Sequence, residues 1–118
     1  MKKWIILTGG AGFIGSAALK ELNDEGINNI LVVDELHHSD KWKNLVGKTF
    51  LDLIHKDALF EWLAQGHKVE AIIHLGACSS TVETDSNYLL ENNYRYTIRL
   101  AKYAITSGIR FILSLIHI

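Results

Sequence analysis

Apolar residues along the chain fall into short, unbroken runs separated by stretches of helical spacing. Trp4-Ile5-Ile6-Leu7-Thr8 is continuous and stops at glycines, the pattern of a strand buried on both faces of a parallel sheet. Ile30-Leu31-Val32-Val33 predicts a second such strand, Thr49-Phe50-Leu51 a third and weaker one, residues 69–75 a fourth, and Arg110-Phe111-Ile112 the start of a fifth. Between the runs the period changes. Ala18, Leu19 and Leu22 repeat at helical spacing after Gly15, and Asn23-Asp24-Glu25-Gly26 supplies a polar stop. Leu59, Phe60 and Leu63 predict a helix within 57–65, and 85–107 reads as a longer helix closed by Gly108. Strands alternating with helices predict an α/β fold, a Rossmann-type parallel sheet with right-handed helical crossovers and strand order 3-2-1-4-5, truncated after the fifth strand.

Composition narrows this picture by exclusion. At 118 residues the chain fits one domain, with apolar residues at 48%, charged residues at 21% and no proline. A net charge of −1 without a Lys/Arg cluster argues against nucleic acid and anionic membranes as partners. The apolar runs are too short to span a bilayer, and Met1-Lys2-Lys3 leading straight into a strand is no signal peptide. The single cysteine, Cys78, cannot form an internal disulfide, in agreement with a cytoplasmic location. None of the six histidines has a recognised ligand spacing with Cys78 or with another histidine, so no metal site is expected. Tyr88, Tyr94, Tyr96 and Tyr103 share the long helical segment and read as packing residues.

The turn after the first strand carries the chemistry. Gly10-Ala11-Gly12-Phe13-Ile14-Gly15 fits G-x-G-x-x-G, and Gly9, Gly12 and Gly15 fit the G-x-x-G-x-x-G variant. The first glycine permits a tight turn, Gly12 lets backbone approach a pyrophosphate, and Gly15 lets the following helix pack closely on the strand. A diphosphate would rest on the free N–H groups of that helix's N-terminus. Glycine-rich turns also occur as plain strand-to-helix loops, but here Asp34 ends the second strand 19 residues after Gly15. That is close to the spacing of about 20 at which an acidic residue meets the adenosine ribose hydroxyls.

The runs Thr8-Gly9-Gly10-Ala11-Gly12-Phe13-Ile14-Gly15-Ser16, His74-Leu75-Gly76-Ala77-Cys78-Ser79-Ser80-Thr81 and Asn92-Asn93-Tyr94 together resemble the extended short-chain dehydrogenase/reductases. Within that superfamily Gly76 to Thr81, with Leu22-Asn23-Asp24 and Asn44-Leu45-Val46, is most similar to the ADP-glycero-manno-heptose 6-epimerases. The resemblance covers the chain up to Ile112. It implies a cofactor site that includes Gly9, Gly12 and Gly15 of the turn, with Phe13 and Ile14 against the pyrophosphate and Asp34 and Glu35 near the adenosine ribose. Lys41 and Lys56 would reach cofactor phosphate or adenine; Leu75, Gly76, Ala77, Cys78 and Ser79 would line the nicotinamide side; and Asn92 would join the contacts from the long helix. Read from the residues alone, Lys41 and Lys56 could equally be solvated lysines, Cys78 a small buried hydrophobe, and Asn92 and Asn93 within-helix hydrogen bonders.

The implied cofactor is NADP, with NAD as the alternative, because two carboxylates beside the ribose oppose a 2′-phosphate while Lys41 offsets them. The implied function is NAD(P)-dependent inversion of carbon 6 in an ADP-heptose that feeds lipopolysaccharide core synthesis, by a homo-oligomer. Another sugar-nucleotide epimerase or dehydratase, or a non-catalytic dinucleotide sensor, stays open. The family's Tyr-x-x-x-Lys pair is not found in the sequence, so no catalytic residue is assigned. Leu113-Ser114-Leu115-Ile116-His117-Ile118 departs from the family's course and matches the translation of CTG TCT CTT ATA CAC ATC, a sequencing adapter. The expectation is therefore that 1–112 is the N-terminal part of a Rossmann domain and 113–118 adapter read-through.

Overall fold

A computed structural model describes residues 3–36, 40–75 and 86–114, with side chains from residue 93 onward in the last segment. The elements are β1 (Trp4–Thr8), α1 (Phe13–Asp24), β2 (Ile30–Asp34), β3 (Asp52–His55), α2 (Leu59–Leu63), β4 (Val69–His74), α3 (Ser86–Ser107) and β5 (Arg110–Leu113). Short 3₁₀ turns occupy Asp40–Leu45 and Lys56–Ala58. All strand pairings are parallel and the order is β3-β2-β1-β4-β5, as the sequence pattern predicts.

Alternation along the strands divides the core between two faces. Ile6 pairs with Leu31 on one side and Ile72 on the other, and this row packs beneath Leu59, Trp62 and Leu63 of α2 and Leu100 and Ala104 of α3. On the opposite face Ile5, Leu7, Ile30 and Val32 meet Leu19 of α1 and Leu45. Both faces being covered is why β1 and β2 read as unbroken apolar runs.

Helix α1 stops where the polar tetrad predicts. Gly26 takes φ +81°, its N–H donates to the Asn23 carbonyl at 2.9 Å, and the Ile27 N–H donates to the Leu22 carbonyl at 2.9 Å. This paired closure satisfies two of the helix's terminal carbonyls.

The third strand differs from the expected Thr49-Phe50-Leu51. Its pairing begins at Asp52, because the Asn23 side chain already occupies the Thr49 backbone, accepting from its N–H at 2.8 Å and donating to its carbonyl at 2.8 Å. The chain first meets β2 when the Leu51 N–H reaches the Ile30 carbonyl at 2.9 Å. The helix expected in 57–65 is also shorter. His55 Nδ1 accepts the Asp57 N–H at 3.1 Å and tightens the entry into a 3₁₀ turn before α2 begins at Leu59.

Candidate cofactor site

The parallel sheet brings the C-terminal ends of β1, β2, β3 and β4 to one rim, where the strand order reverses at β1 and β4. In such sheets ligands bind in the crevice outside that rim. At its centre Gly9 turns with φ +71°, after its N–H donates to the Val33 carbonyl at 2.7 Å. The tight-turn role thus falls to Gly9, the first glycine of the longer motif variant. Gly10 instead lies against β2, where a Cβ would stand 2.8 Å from Val32 Cγ1.

Gly12 is the N-cap of α1, in extended backbone at φ −74°, ψ 176°, and the helix has neither a side-chain cap nor an acidic residue in its first turn. Among the described residues a Cβ on Gly12 would meet only the Gly9 carbonyl oxygen within 4 Å, at 3.4 Å, which leaves the space beyond it open on their side. Gly15 is the reverse case. A Cβ there would lie 2.7 Å from the Gly9 carbonyl carbon and 2.8 Å from Gly10 Cα, and closer still to the Gly9 oxygen. One glycine leaves room for a ligand and the other lets the helix touch the turn. Phe13 is 84% exposed and Ile14 45%, so both stand at the mouth of this cradle.

Asp34 closes the site from the end of β2. It is buried, its Oδ2 accepts the Ala11 N–H at 2.8 Å, and its Oδ1 accepts the Glu35 N–H at 2.7 Å and the Lys41 ammonium at 3.1 Å. Asn44 adds a second tie to the turn, donating to the Ala11 carbonyl at 2.8 Å. Lys41 also donates to the Glu35 carbonyl at 3.3 Å, and Lys56 stands 3.4 Å from Glu35 Oε2. The two lysines are therefore joined to the two carboxylates in one charged border along the β2 and β3 ends. They are not isolated solvated cations.

Leu75 follows β4 into the rim and donates to the Thr8 hydroxyl at 3.1 Å and to the Thr8 carbonyl at 3.2 Å. Gly76, Ala77, Cys78 and Ser79 lie outside the described residues, and Asn92 falls in α3 with its side chain outside them. Among the described residues no group of three His, Cys, Asp or Glu side chains could hold a metal ion. No described helix is long and apolar enough to cross a membrane.

Helix N-terminus, open glycine and acidic strand end together form a cradle suited to a dinucleotide diphosphate and its adenosine ribose. A profile of the NAD dependent epimerase/dehydratase family matches residues 5–115. The chain belongs to that family. This family member is 47% identical over 110 residues to an ADP-L-glycero-D-manno-heptose-6-epimerase of Nitratidesulfovibrio vulgaris strain DP4, covering 91% of this chain and 34% of the relative. It is 47% identical over 111 residues to the protein of the same name from Fusobacterium nucleatum, covering 92% and 33%. Among solved structures it is similar to a UDP-glucose 4-epimerase, with TM-score 0.69, 28% identity and coverage of 94% of this chain and 35% of that one. It is also similar to the Bordetella bronchiseptica enzyme WbmG in complex with NAD and UDP, with TM-score 0.68, 25% identity and coverage of 94% and 36%. The chain thus spans about a third of the length of the curated relatives it matches.

The family member carries one buried polar relay that motif reading did not find. His74, 2% exposed at the end of β4, contacts Thr8 Oγ1 through Nδ1 at 2.5 Å and Thr97 Oγ1 through Nε2 at 2.9 Å. The relay links β1, β4 and α3, and a neutral imidazole satisfies both ring nitrogens, one accepting from a threonine hydroxyl and the other donating to one. Burial lowers the His74 pKa to about 4. An unfolded imidazole titrates near 6.5, so the unfolded chain binds more protons between about pH 6.5 and 4. This group's contribution is complete above pH 6.5 and is lost as pH falls, by up to about 3 kcal/mol. Urea denaturation at pH 7 and pH 4.5 should show wild type losing more stability than His74→Asn; equal losses would assign the acid sensitivity to other groups.

Proposed function

We propose that residues 1–112 are the amino-terminal, dinucleotide-binding part of a sugar-nucleotide epimerase acting on carbon 6 of ADP-glycero-manno-heptose. The observation that carries the reading is the uncapped, acid-free first turn of α1 behind Gly12, with Asp34 beside it. The 47% identity to relatives named for that activity supports the substrate. When bound, the nicotinamide cofactor supplies hydride removal from the carbinol carbon and its return to the other face of the transient ketone. This chain's residues bind and orient. The N–H groups of Phe13, Ile14 and Gly15 would hold the diphosphate, and Asp34 would accept from the ribose hydroxyls. Leu75, Gly76, Ala77, Cys78 and Ser79 would line the nicotinamide half, and Asn92 would join the cofactor contacts. No residue of this sequence is assigned proton transfer at the sugar hydroxyl, because it has no Tyr-x-x-x-Lys.

The cofactor we favour is NADP. Lys41 is half-exposed beside Asp34 and Glu35, placed to offset their charge toward a 2′-phosphate. The enzyme would work as a cytoplasmic homo-oligomer supplying lipopolysaccharide core synthesis. The test uses the complete enzyme with ADP-heptose, following carbon-6 inversion by proton NMR after reconstitution with NADP or NAD. Inversion with NADP at the lower cofactor concentration, and a shift toward NAD in Lys41→Ala, is expected. No inversion with either cofactor would refute the activity, and an equal preference in both proteins would refute the role of Lys41.

A further inference from the structure

Tyr96 lies on α3 and reaches across to the end of β3, where its hydroxyl donates to the Lys56 carbonyl at 2.9 Å. That carbonyl also accepts the Leu59 N–H, so both of its acceptor positions are used. The Tyr96 ring packs edge-on against Phe60 at 5.1 Å and lies over His74 at 5.9 Å, while the Arg99 guanidinium covers Phe60 at 3.9 Å. The ring therefore has a fixed place independent of its hydroxyl. Burial raises the Tyr96 pKa well above the ordinary tyrosine range, which keeps the hydroxyl a proton donor. On its other side the three-residue turn Lys56–Ala58 is held by His55 Nδ1 on the Asp57 N–H at 3.1 Å. From this doubly tethered turn the Lys56 side chain emerges to stand 3.4 Å from Glu35 Oε2.

We propose that Tyr96 is a positioning residue for the cofactor site, fixing through the Lys56 carbonyl the point from which the Lys56 ammonium reaches the charged border beside Glu35. The proposal rests on the dinucleotide-binding reading above. A long, flexible lysine contributes to binding only in proportion to how well its origin is fixed, because ordering it costs side-chain entropy. Tyr96 spends one buried hydrogen bond on that origin, and it ties the position of α3 to the β2 and β3 end of the site.

The experiment is a double-mutant cycle in the complete enzyme, with NADP affinity measured by calorimetry for wild type, Tyr96→Phe, Lys56→Gln and the double variant. Phenylalanine keeps the ring packing and deletes only the donor. Tyr96→Phe should weaken NADP about fivefold, the scale of one net hydrogen bond, and Lys56→Gln should cost less in the Tyr96→Phe background than in wild type. In the ligand-free proteins the Lys56 carbonyl ¹³C resonance should move in Tyr96→Phe with the rest of the sheet unshifted. Wild-type binding with losses that multiply independently would overturn the positioning role alone. Wild type that binds no dinucleotide, with the carbonyl shift present, would overturn the dinucleotide reading and this role with it.

Discussion

Gly15→Val is expected to destabilise the native fold by more than about 3 kcal/mol. The first atom of any side chain at Gly15 would lie within 2.8 Å of Gly10 Cα and nearer to the Gly9 carbonyl, and these are backbone atoms that cannot rotate away. Relief would require α1 to lift from the turn, which uncovers Leu19 and opens the face formed by Ile5, Leu7, Ile30 and Val32. Overpacking in a tight interior costs about 1–3 kcal/mol when side chains can yield and more when they cannot. A loss above about 3 kcal/mol is a large part of the stability of a domain this size. Circular dichroism and thermal denaturation should show no cooperative transition, or one lowered by more than ten degrees, on the order of about 4 °C per kcal/mol. A variant that melts within a few degrees of wild type would mean that the helix does not rest on the turn as described.

The parts of the fold legible in the sequence are those whose physics is local or periodic. β1 and β2 showed themselves because both faces are covered, so every position but the last, Thr8 and Asp34, is apolar. The end of α1 was legible because Gly26 is placed where a positive φ is needed. The third strand was misplaced for a specific reason: Thr49 and Phe50 look like strand residues, yet the Asn23 amide takes the Thr49 backbone groups that a ladder would use. True pairing falls on Asp52 to His55, whose polar ends an edge strand tolerates.

The site divides in the same way. Glycines and Asp34 were legible because a dinucleotide turn constrains backbone at fixed spacing. The pairing of Lys41 and Lys56 with Asp34 and Glu35 was not, since spacing alone cannot distinguish a solvated lysine from one held at a sheet rim. The Thr8–His74 contact joins residues 66 apart, the Tyr96–Lys56 bond 40 apart and the His74–Thr97 contact 23 apart. The first follows from the β1–β4 register, in which Thr8 pairs with His74, and the other two from how α3 crosses the sheet, so no local pattern encodes them. His74, and Tyr96 that read as packing, prove to be hydrogen-bonded cross-links at the rim.

Gly12→Val carries the second large effect and separates binding from folding. Gly12 has φ −74° and ψ 176°, backbone that valine adopts readily, and among the described residues its Cβ direction holds only the Gly9 oxygen at 3.4 Å. The variant should therefore fold with a melting temperature close to wild type. Its branched side chain, however, would project into the space above the first turn of α1, the proposed place of the pyrophosphate. Losing close backbone approach removes several charge-assisted hydrogen bonds at once, each contributing about 1.5–3 kcal/mol. The most direct measurement is calorimetric titration of NADP and NAD into the complete enzyme and its Gly12→Val variant at equal stability. Saturable binding to wild type and a loss of at least about a hundredfold in the variant are expected; unchanged affinity in a folded Gly12→Val protein would contradict the placing of the diphosphate on this turn.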